Sequence, residues 1–238
     1  MNIEEKTYPM RINRYLALEN VCSRREADEI IKQGKVIING RVAVLGDKVL
    51  ENDNVEVFLD GAEKELVYFA YNKPRGIITH SPQHGEKSIE NITKFPQKVY
   101  PVGRLDKDSH GLIILTNDGR VTGKLLSPEN FHEKEYTVKI DRAITPSFLK
   151  HMEEGVVLDD GYKTQPAKTK KINDFTFSII LIEGKKRQIR RMCESLGRNV
   201  TDLKRIRILN IQLDDIKSGK FRSIEGKELQ DFLNKIGL

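Results

Sequence analysis

Two different patterns of apolar residues divide the chain near residue 60. Before this point there are short helical patterns and a tight turn, whereas after Leu66 apolar runs of strand length are interleaved with helical patterns. A chain of 238 residues can form one large domain or a small domain followed by a medium one. The change in pattern favours the second arrangement. It predicts a tail at 1–9, a first domain at 10–58, a linker at 59–65 and a second domain at 66–238.

The first domain is predicted to hold two short helices and a small sheet. The segment 11–18 has apolar residues at helical spacing, and Ser23 and Glu26 form a capping box that starts a second helix. The dipeptide Asn39-Gly40 lies between β-branched runs, which indicates a tight hairpin whose two turn residues take positive φ. The segment 47–58 then closes the domain with another short strand.

The second domain is predicted to be of the α+β class. Its strands and helices follow one another irregularly, which favours a large mixed, mostly antiparallel sheet flanked by helices. Strands are expected at 67–71, 99–102, 111–116, 136–140, 175–182 and 206–213, and helices at 121–126, 146–154, 188–196 and 227–235.

Positive charge is concentrated in one stretch of the second domain. The chain has a net charge of +6, and the 24 residues from Gly184 to Arg207 contain nine basic residues and two acidic ones. An excess this dense repels itself unless a polyanion offsets it, although basic residues also occur on solvated helix faces. Nucleic acid is therefore the expected partner.

Several classes of protein have no support in the sequence. The longest apolar runs, 112–115 and 179–182, are far shorter than the roughly 20 residues of a membrane span, and the first residues lack the apolar segment of a secretory signal. The two cysteines, Cys22 and Cys193, lie far apart, which fits a reducing cytoplasm. No glycine-rich nucleotide-binding loop is present, and the five histidines lack metal-binding spacing, so neither a cofactor nor a metal is expected.

The first domain resembles the S4 RNA-binding domain. The resemblance rests on the segment RINRYLALENVCSRREADEIIKQGKVIING, including its Ser-Arg-Arg-Glu-Ala-Asp run and the turn at Asn39-Gly40. Backbone N–H groups at helix starts attract phosphate, and basic residues cluster at the two predicted helix starts. The residues expected to contact RNA are Arg11, Arg14, Arg24, Arg25, Lys35 and Asn39.

The second domain resembles the pseudouridine synthases of the RsuA/RluB/RluE/RluF type. The motifs that carry the resemblance are YNKPRG at 71–76, PVGRLDKDSHGLIILTNDG at 101–119, HEKEY at 132–136 and GKKRQIRRM at 184–192. The Lys-Asp-Ser after the Arg-Leu-Asp and the HEKEY stretch are most similar to the RluF branch, which modifies 23S ribosomal RNA. The resemblance implies an isomerisation without cofactor, in which the N1–C1′ bond of a uridine breaks and C5 joins C1′.

Catalytic roles follow from the same resemblance. Asp106 matches the family's catalytic aspartate, which attacks the sugar or starts an elimination, and Tyr136 matches the tyrosine that stacks on uracil and helps to remove the C5 proton. Arg190 matches the basic residue that pairs with the catalytic carboxylate and keeps it ionised. Read without the motifs, an aspartate in a turn and a tyrosine opening a strand are more often structural.

Further residues are expected to bind the substrate. Enzymes that act on a base extrude it from the stack, and Arg104 matches the residue that fills the space left in the RNA. Ile189 matches the apolar residue that lines the uracil pocket. Arg187 and Arg191 are expected to meet phosphates, with a plain surface charge as the alternative for Arg191. Lys73 is expected either to contact RNA or to be solvated.

The sequence thus predicts a monomeric enzyme that isomerises one uridine in ribosomal RNA, most similar in target to the enzymes acting on 23S RNA. The same reaction on 16S RNA or on a transfer RNA anticodon arm is the alternative within the class. A non-catalytic RNA-binding protein with an S4 domain is the alternative from another class.

Overall fold

The computed structural model describes residues 7–19, 21–58, 65–80, 82 and 85–238. The chain divides into two compact units, one comprising Met1–Leu66 with Asn117–Gly123 and the other Val67–Thr116 with Lys124–Leu238. The segment 117–123, predicted as part of the second domain, groups with the first unit by its contacts. A Cβ added at Gly119 would lie 3.8 Å from the Ser23 Cα, an ordinary van der Waals distance.

The ends of the first domain are only partly described. Most of the predicted tail at 1–9 and of the predicted linker at 59–65 falls outside the described residues. Within the described part of the tail, Tyr8 packs against the core of the first unit.

The first unit contains the two helices and the small sheet that its sequence predicts. The capping box is confirmed, because the Glu26 backbone N–H donates to Ser23 Oγ at 3.3 Å and the Ser23 N–H donates to Glu26 Oε2 at 3.0 Å. The hairpin turn is confirmed too, with φ of 51° at Asn39 and 77° at Gly40. The elements are β1 Met10–Arg11, α1 Ile12–Leu18, α2 Arg24–Lys32, β2 Val36–Ile38, β3 Arg41–Val42, β4 Lys48–Val49 and β5 Val55–Val57.

The second unit is built on a mixed sheet with helices against it. Its strands are β6 Tyr68–Lys73, β7 Tyr100–Val102, β8 His110–Thr116, β9 Lys134–Ile140, β10 Lys168–Asn173, β11 Thr176–Leu181, β12 Val200–Ile208, β13 Ile211–Gln212 and β14 Phe221–Ser223. Its helices, counting α4, which also enters the first unit, are α3 Ile89–Ile92, α4 Gly119–Leu126, α5 Pro146–Glu154, α6 Gln188–Ser195 and α7 Gly226–Ile236.

The strand order explains the mostly antiparallel character of this sheet. The order is β10-β11-β9-β12-β8-β6-β14, with β13 paired to β12 and β7 paired to β8. Strands β8 and β12 run parallel, and the other pairs among the described strands are antiparallel. The predicted α+β class and the mixed, mostly antiparallel sheet are therefore confirmed.

Helix α5 shows why local sequence sets some boundaries so well. Thr145 caps its start by accepting from the Phe148 N–H at 3.2 Å, Pro146 occupies its first turn, and Gly155 follows its last residue. Phe148 and Met152 then face a core that also contains Phe177 and Ile189, so the helix packs on the half of the sheet formed by β9 and β11.

Three strand predictions need correction. The predicted strand 206–213 is two strands, because Leu209 adopts φ of 51° and reverses the chain without a glycine or proline to mark the turn. Strand β10 is missing from the prediction because it is an edge strand whose side chains are mostly exposed and polar. Strand β14 is missing because it has only three residues.

None of the helices in the described part of the chain combines the length and the apolar character that crossing a bilayer requires.

Candidate active site

The loop between β7 and β8 carries Asp106 and is held in place by its backbone. Leu105 exchanges two hydrogen bonds with the Thr79 hydroxyl, which donates to the Leu105 carbonyl at 2.9 Å and accepts from its N–H at 3.1 Å. The Ser109 N–H donates to the Asp106 carbonyl at 3.0 Å, and the Gly76 N–H donates to the Lys107 carbonyl at 2.7 Å. None of these bonds uses the Asp106 carboxylate, so the loop fixes the residue and leaves its side chain available.

Asp106 opens onto a cavity of about 650 Å³ in the second unit. This volume lies within the range typical of small-molecule sites, about 300–1,000 Å³. Five of the eight residues predicted for catalysis and substrate binding line it, namely Arg104, Asp106, Tyr136, Arg187 and Ile189. These residues lie up to 85 positions apart in the sequence. The fold brings them together from the β7–β8 loop, strand β9 and the start of α6.

Tyr136 reaches the cavity from the middle of the sheet. On β9 it is paired with Ile179 of β11 on one side and with Arg205 of β12 on the other. Its side chain is half-buried and packs against the core that holds α5 and α6. A ring in this position has a fixed orientation and keeps part of its surface open to the cavity.

Helix α6 starts at the cavity with a left-handed residue. Arg187 adopts φ of 53° and its side chain is exposed, whereas the next two residues, Gln188 and Ile189, are buried. The Gln188 amide donates to Glu183 Oε1 at 2.6 Å and accepts from the Lys185 N–H at 2.9 Å. The Gly184–Gln188 connection is therefore tied down, which presents Ile189 to the cavity.

Arg190 does not form the predicted pair with Asp106. Its guanidinium donates to the carbonyl of Val200 at 3.1 Å, to the carbonyl of Asp108 at 3.2 Å and to Ser109 Oγ at 3.4 Å. Among the described residues no ion pair within 4.0 Å joins Arg190 to Asp106. The three bonds above use Nη1 and Nη2, and the buried Nε has no partner in this part of the chain. Burial lowers the pKa of Arg190, although the nearby Asp108 and Asp106 charges oppose the shift. Arg190 thus holds the loop that carries the aspartate.

Lys73 is placed differently from both readings of the sequence, contact with RNA and solvation. The side chain is fully buried at the end of β6, and its ammonium donates to the carbonyls of Pro74 and Ile77. Burial lowers the pKa of Lys73 to about 8, while the charges of Asp106 and Asp108 pull in the opposite direction. A lysine enclosed beneath the Asp106 loop cannot meet a phosphate in this structure.

Arg191 also differs from its prediction. Its guanidinium contacts both Asp159 and Asp160, with the Nη2–Asp160 Oδ2 distance at 2.7 Å. These two carboxylates raise the pKa of Arg191 and neutralise its charge. The residue is not part of the cavity lining, so an ion pair replaces the expected phosphate contact.

The basic stretch from Gly184 to Arg207 is therefore divided among different environments. Lys185, Lys186 and Arg187 are exposed at the cavity, Arg190 and Arg205 are buried, and Arg207 is paired with Glu133 and Glu135. Only part of the charge excess in the sequence is available to a polyanion.

Two cationic residues that line the cavity, Lys134 and Arg205, were not among the predicted site residues. Arg205 is 4% exposed and its Nε donates to the Leu112 carbonyl at 2.7 Å. The Lys134 ammonium donates to the His132 carbonyl at 3.2 Å, and burial together with the Arg205 charge lowers its pKa to about 8. Lys134 is two residues before Tyr136 on a strand, so strand periodicity would have placed both side chains on one face.

The predicted RNA contacts of the first unit have different surroundings. Arg24 and Arg25 are exposed in the first turn of α2, and Arg11 and Arg14 are exposed at the start of α1. Lys35 is half-buried. The Asn39 amide is occupied within the unit, since it donates to Asp53 at 2.8 Å and accepts from the Asn54 N–H at 2.8 Å. Asn39 therefore serves the hairpin.

No group of three or more His, Cys, Asp or Glu side chains suited to a metal ion occurs within the described ranges.

Comparison with known proteins identifies the family. The RNA pseudouridylate synthase family matches residues 67–195, and the S4 domain matches residues 10–55. This chain belongs to the RNA pseudouridylate synthase family. It is an RNA pseudouridine synthase with an S4 domain, and the predicted family and enzyme class are confirmed.

Relatives resemble this synthase along nearly its whole length. The "Dual-specificity RNA pseudouridine synthase RluF" of Salmonella typhi is 43% identical over 95% of this chain and 79% of its own. The "Ribosomal large subunit pseudouridine synthase B" of Bacillus subtilis is 38% identical over 92% of this chain and 94% of its own. A solved structure, "Crystal structure of pseudouridylate synthase", aligns with a TM-score of 0.69 at 28% identity and covers 95% of this chain and 99% of that one. The similarity extends through both units.

Proposed function

We propose that this synthase isomerises a uridine of large-subunit ribosomal RNA, the 23S RNA. Support comes from the names of its relatives, one of which is a ribosomal large subunit enzyme and another a dual-specificity RluF. The RluF relative is named dual-specificity, which favours a second RNA target for this synthase as well. A transfer RNA anticodon arm is the candidate. The 16S ribosomal RNA remains an alternative within the same reaction.

The observation that carries the proposed mechanism is the position of Asp106. Its carboxylate faces the cavity together with Tyr136, and within the described residues it has no hydrogen-bond or ion-pair partner. A carboxylate without such a partner can bond directly to C1′ of the ribose or remove the C2′ proton. Either step lets the N1–C1′ bond break, after which C5 of the rotated uracil joins C1′.

The cavity implies that the target uridine leaves the RNA stack. A base inside a helix cannot enter an enclosed site, so it must flip at a cost of a few kcal/mol. Arg104 is exposed beside Asp106 and is suited to fill the space that the flipped nucleotide leaves. Tyr136 would stack on the uracil and help to remove the C5 proton, and Ile189 would complete the apolar wall.

The reaction and its target are tested together by mapping pseudouridine in cells. Carbodiimide adducts stop reverse transcription at pseudouridine, so ribosomal and transfer RNA from a strain lacking the gene can be compared with complemented strains. We expect a stop in 23S RNA that disappears in the deletion and returns with the wild-type gene. If every stop in 23S RNA persists without the gene, the proposed target is wrong. A dependent stop in 16S or transfer RNA then identifies the alternative.

The S4 domain is expected to anchor the RNA through Arg24 and Arg25. Both side chains are exposed at the start of α2 and have no ion-pair partner among the described residues. Each lost phosphate contact lowers the slope of log Kd against log salt by about 1, so changing both arginines to alanine should lower it by about 2. The measurement is RNA binding over a salt series.

Lys32 provides the matched control on the same helix. It is already paired with Glu29 at 2.8 Å, so Lys32→Ala should leave the salt slope unchanged. Equal slopes for the wild type and the Arg24→Ala, Arg25→Ala variant would show that this helix start does not bind phosphate.

A further inference from the structure

Positive charge in the cavity is arranged by depth. The cavity is lined by six cationic side chains and by two carboxylates, those of Asp106 and Glu183. Glu183 is engaged, because it accepts hydrogen bonds from Tyr162 at 2.6 Å, Gln188 at 2.6 Å and the Gln165 N–H at 3.0 Å. Four of the cations are exposed and belong to the rim, namely Arg104, Lys185, Lys186 and Arg187. The other two, Lys134 and Arg205, belong to the inner wall.

The inner pair has donors that the protein does not use. Arg205 is buried on β12, and after its Nε has bonded to Leu112 its buried Nη2 has no partner in the described part of the protein. Buried polar groups in proteins are nearly always paired, so an unpaired donor on a side chain that lines a cavity points to a ligand. Lys134 donates to the His132 carbonyl at 3.2 Å and forms no ion pair with a described carboxylate.

The depth of these cations decides which part of a nucleotide meets them. A flipped nucleotide enters with its base first, because the phosphates remain joined to the RNA chain outside. The exposed cations at the rim are therefore placed for phosphate. The half-buried Lys134 and the buried Arg205 on the inner wall are placed for the uracil, whose O2 and O4 are hydrogen-bond acceptors.

We infer that Lys134 and Arg205 form an anion site for the uracil itself, stabilising it at the stage when it is detached from the ribose. This inference rests on the proposed function. When the N1–C1′ bond breaks, its electron pair stays with the uracil, which becomes an anion with charge shared by N1, O2 and O4. The ribose is meanwhile bonded to the Asp106 carboxylate at C1′ or has lost its C2′ proton to it. When C5 bonds to C1′, the Asp106–C1′ ester bond breaks or Asp106 returns the proton to C2′, so the uracil becomes neutral. C5 then loses its proton and N1 gains one.

The arrangement stabilises the detached uracil more than the bound uridine. Neutral uridine offers only carbonyl acceptors, whereas the uracil anion carries a full charge in a site shielded from water. Two cations fixed on neighbouring strands would also retain the anion while the ring turns between its N1 and C5 orientations. The pair Tyr136–Arg205 lies directly across β9 and β12, so stacking and charge stabilisation would act on the same ring.

Lys134→Met tests this site without a change in side-chain length. Removing one preorganised donor to a developing anion costs about 10²–10³-fold in rate, so the single-turnover rate constant for uridine loss should fall by about 10²-fold. The dissociation constant of the RNA and its salt dependence should stay unchanged. The matched control is Lys139→Met, which removes an exposed lysine from the same strand and should retain the rate.

A substrate with a better leaving group separates charge stabilisation from a structural role. Fluorine at C5 withdraws electrons and stabilises the uracil anion, so the Lys134→Met loss should be smaller on RNA containing 5-fluorouridine than on RNA containing uridine. Equal losses on both RNAs would overturn the inference. A raised dissociation constant with a lower salt slope and an unchanged rate would place Lys134 on a phosphate instead. If the wild-type protein isomerises no uridine, the proposed function fails rather than this site.

The alkaline side of the pH profile gives an independent readout. The pKa of Lys134 is lowered to about 8, so its charge is lost as pH rises through that value and the rate should fall. Lys134→Arg keeps the charge and should retain more of the rate above pH 8, whereas the same alkaline loss in both proteins would contradict the assignment. The other charged groups around Lys134 are Arg104, Asp106, Glu183, Lys185, Lys186, Arg187 and Arg205. Lys73 also has its pKa lowered to about 8, and the comparison with Lys134→Arg distinguishes the two.

Discussion

Asp106→Asn is expected to abolish turnover while leaving RNA binding intact. The change removes the charge and the nucleophilic oxygen but keeps the size of the side chain, and loss of such a group costs up to about 10⁴-fold in rate. The loop should keep its shape, because its hydrogen bonds with Thr79, Gly76 and Ser109 use backbone atoms of the loop and not the Asp106 carboxylate. The measurements are single-turnover conversion of uridine and filter binding of the same RNA.

Asp108 supplies the control for this prediction. It lies in the same loop, its side chain is exposed, and it is not part of the cavity lining. Asp108→Asn removes an equal charge two residues away and should retain most of the turnover. Substantial turnover by Asp106→Asn would contradict the proposed mechanism, and equal losses in both variants would show that loop charge, rather than the Asp106 carboxylate, is what matters.

Gly111→Ala is expected to give the largest loss of stability. Gly111 has φ of 102° and faces Arg205 across the parallel pair of β8 and β12. A Cβ at this position would lie 2.3 Å from the Arg205 carbonyl oxygen and 2.9 Å from its nitrogen, so the strands must separate. Backbone strain and overpacking together cost about 3 kcal/mol or more, which lowers Tm by roughly 10 °C for a chain of this size.

The separation should also reduce activity. Strand β8 follows directly after the Asp106 loop, and Arg205 belongs to the cavity wall, so both sides of the site would shift. Gly161→Ala is the matched control, since Gly161 has φ of 81° but no atom within 4 Å of an added Cβ. Gly161→Ala should lower the free energy of unfolding only through backbone strain, by about 1 kcal/mol. If Gly111→Ala is as stable as Gly161→Ala, strands β8 and β12 can move apart without a loss in the free energy of unfolding.

Local signals in the sequence predicted the elements that depend on local chemistry. Helix α5 begins and ends where its cap, proline and glycine place it, and the hairpin at Asn39-Gly40 has the positive φ values that its residues favour. The motifs likewise identified residues that line one cavity, including Asp106 and Tyr136.

Long-range packing decided what the sequence could not show. Lysine is usually a surface residue, but Lys73 is the last residue of β6, a strand that is buried on both faces, so its ammonium is enclosed. Arg190 was expected to meet a carboxylate, but the nearest acceptors are backbone carbonyls whose positions depend on the fold. Arg205 belongs to the cavity because β12 runs beside β9, a pairing between segments far apart in sequence.

The two ends of the large sheet have a consequence for behaviour at high concentration. An open edge strand can template the addition of a strand from another molecule, which starts aggregation. Strand β10 at one end carries Lys168, Lys170 and Lys171, and β14 at the other end has only three residues. Like charges and short length both oppose edge-to-edge pairing. The polar, exposed residues of β10 prevented its prediction as a strand, and the same residues oppose self-association of the sheet.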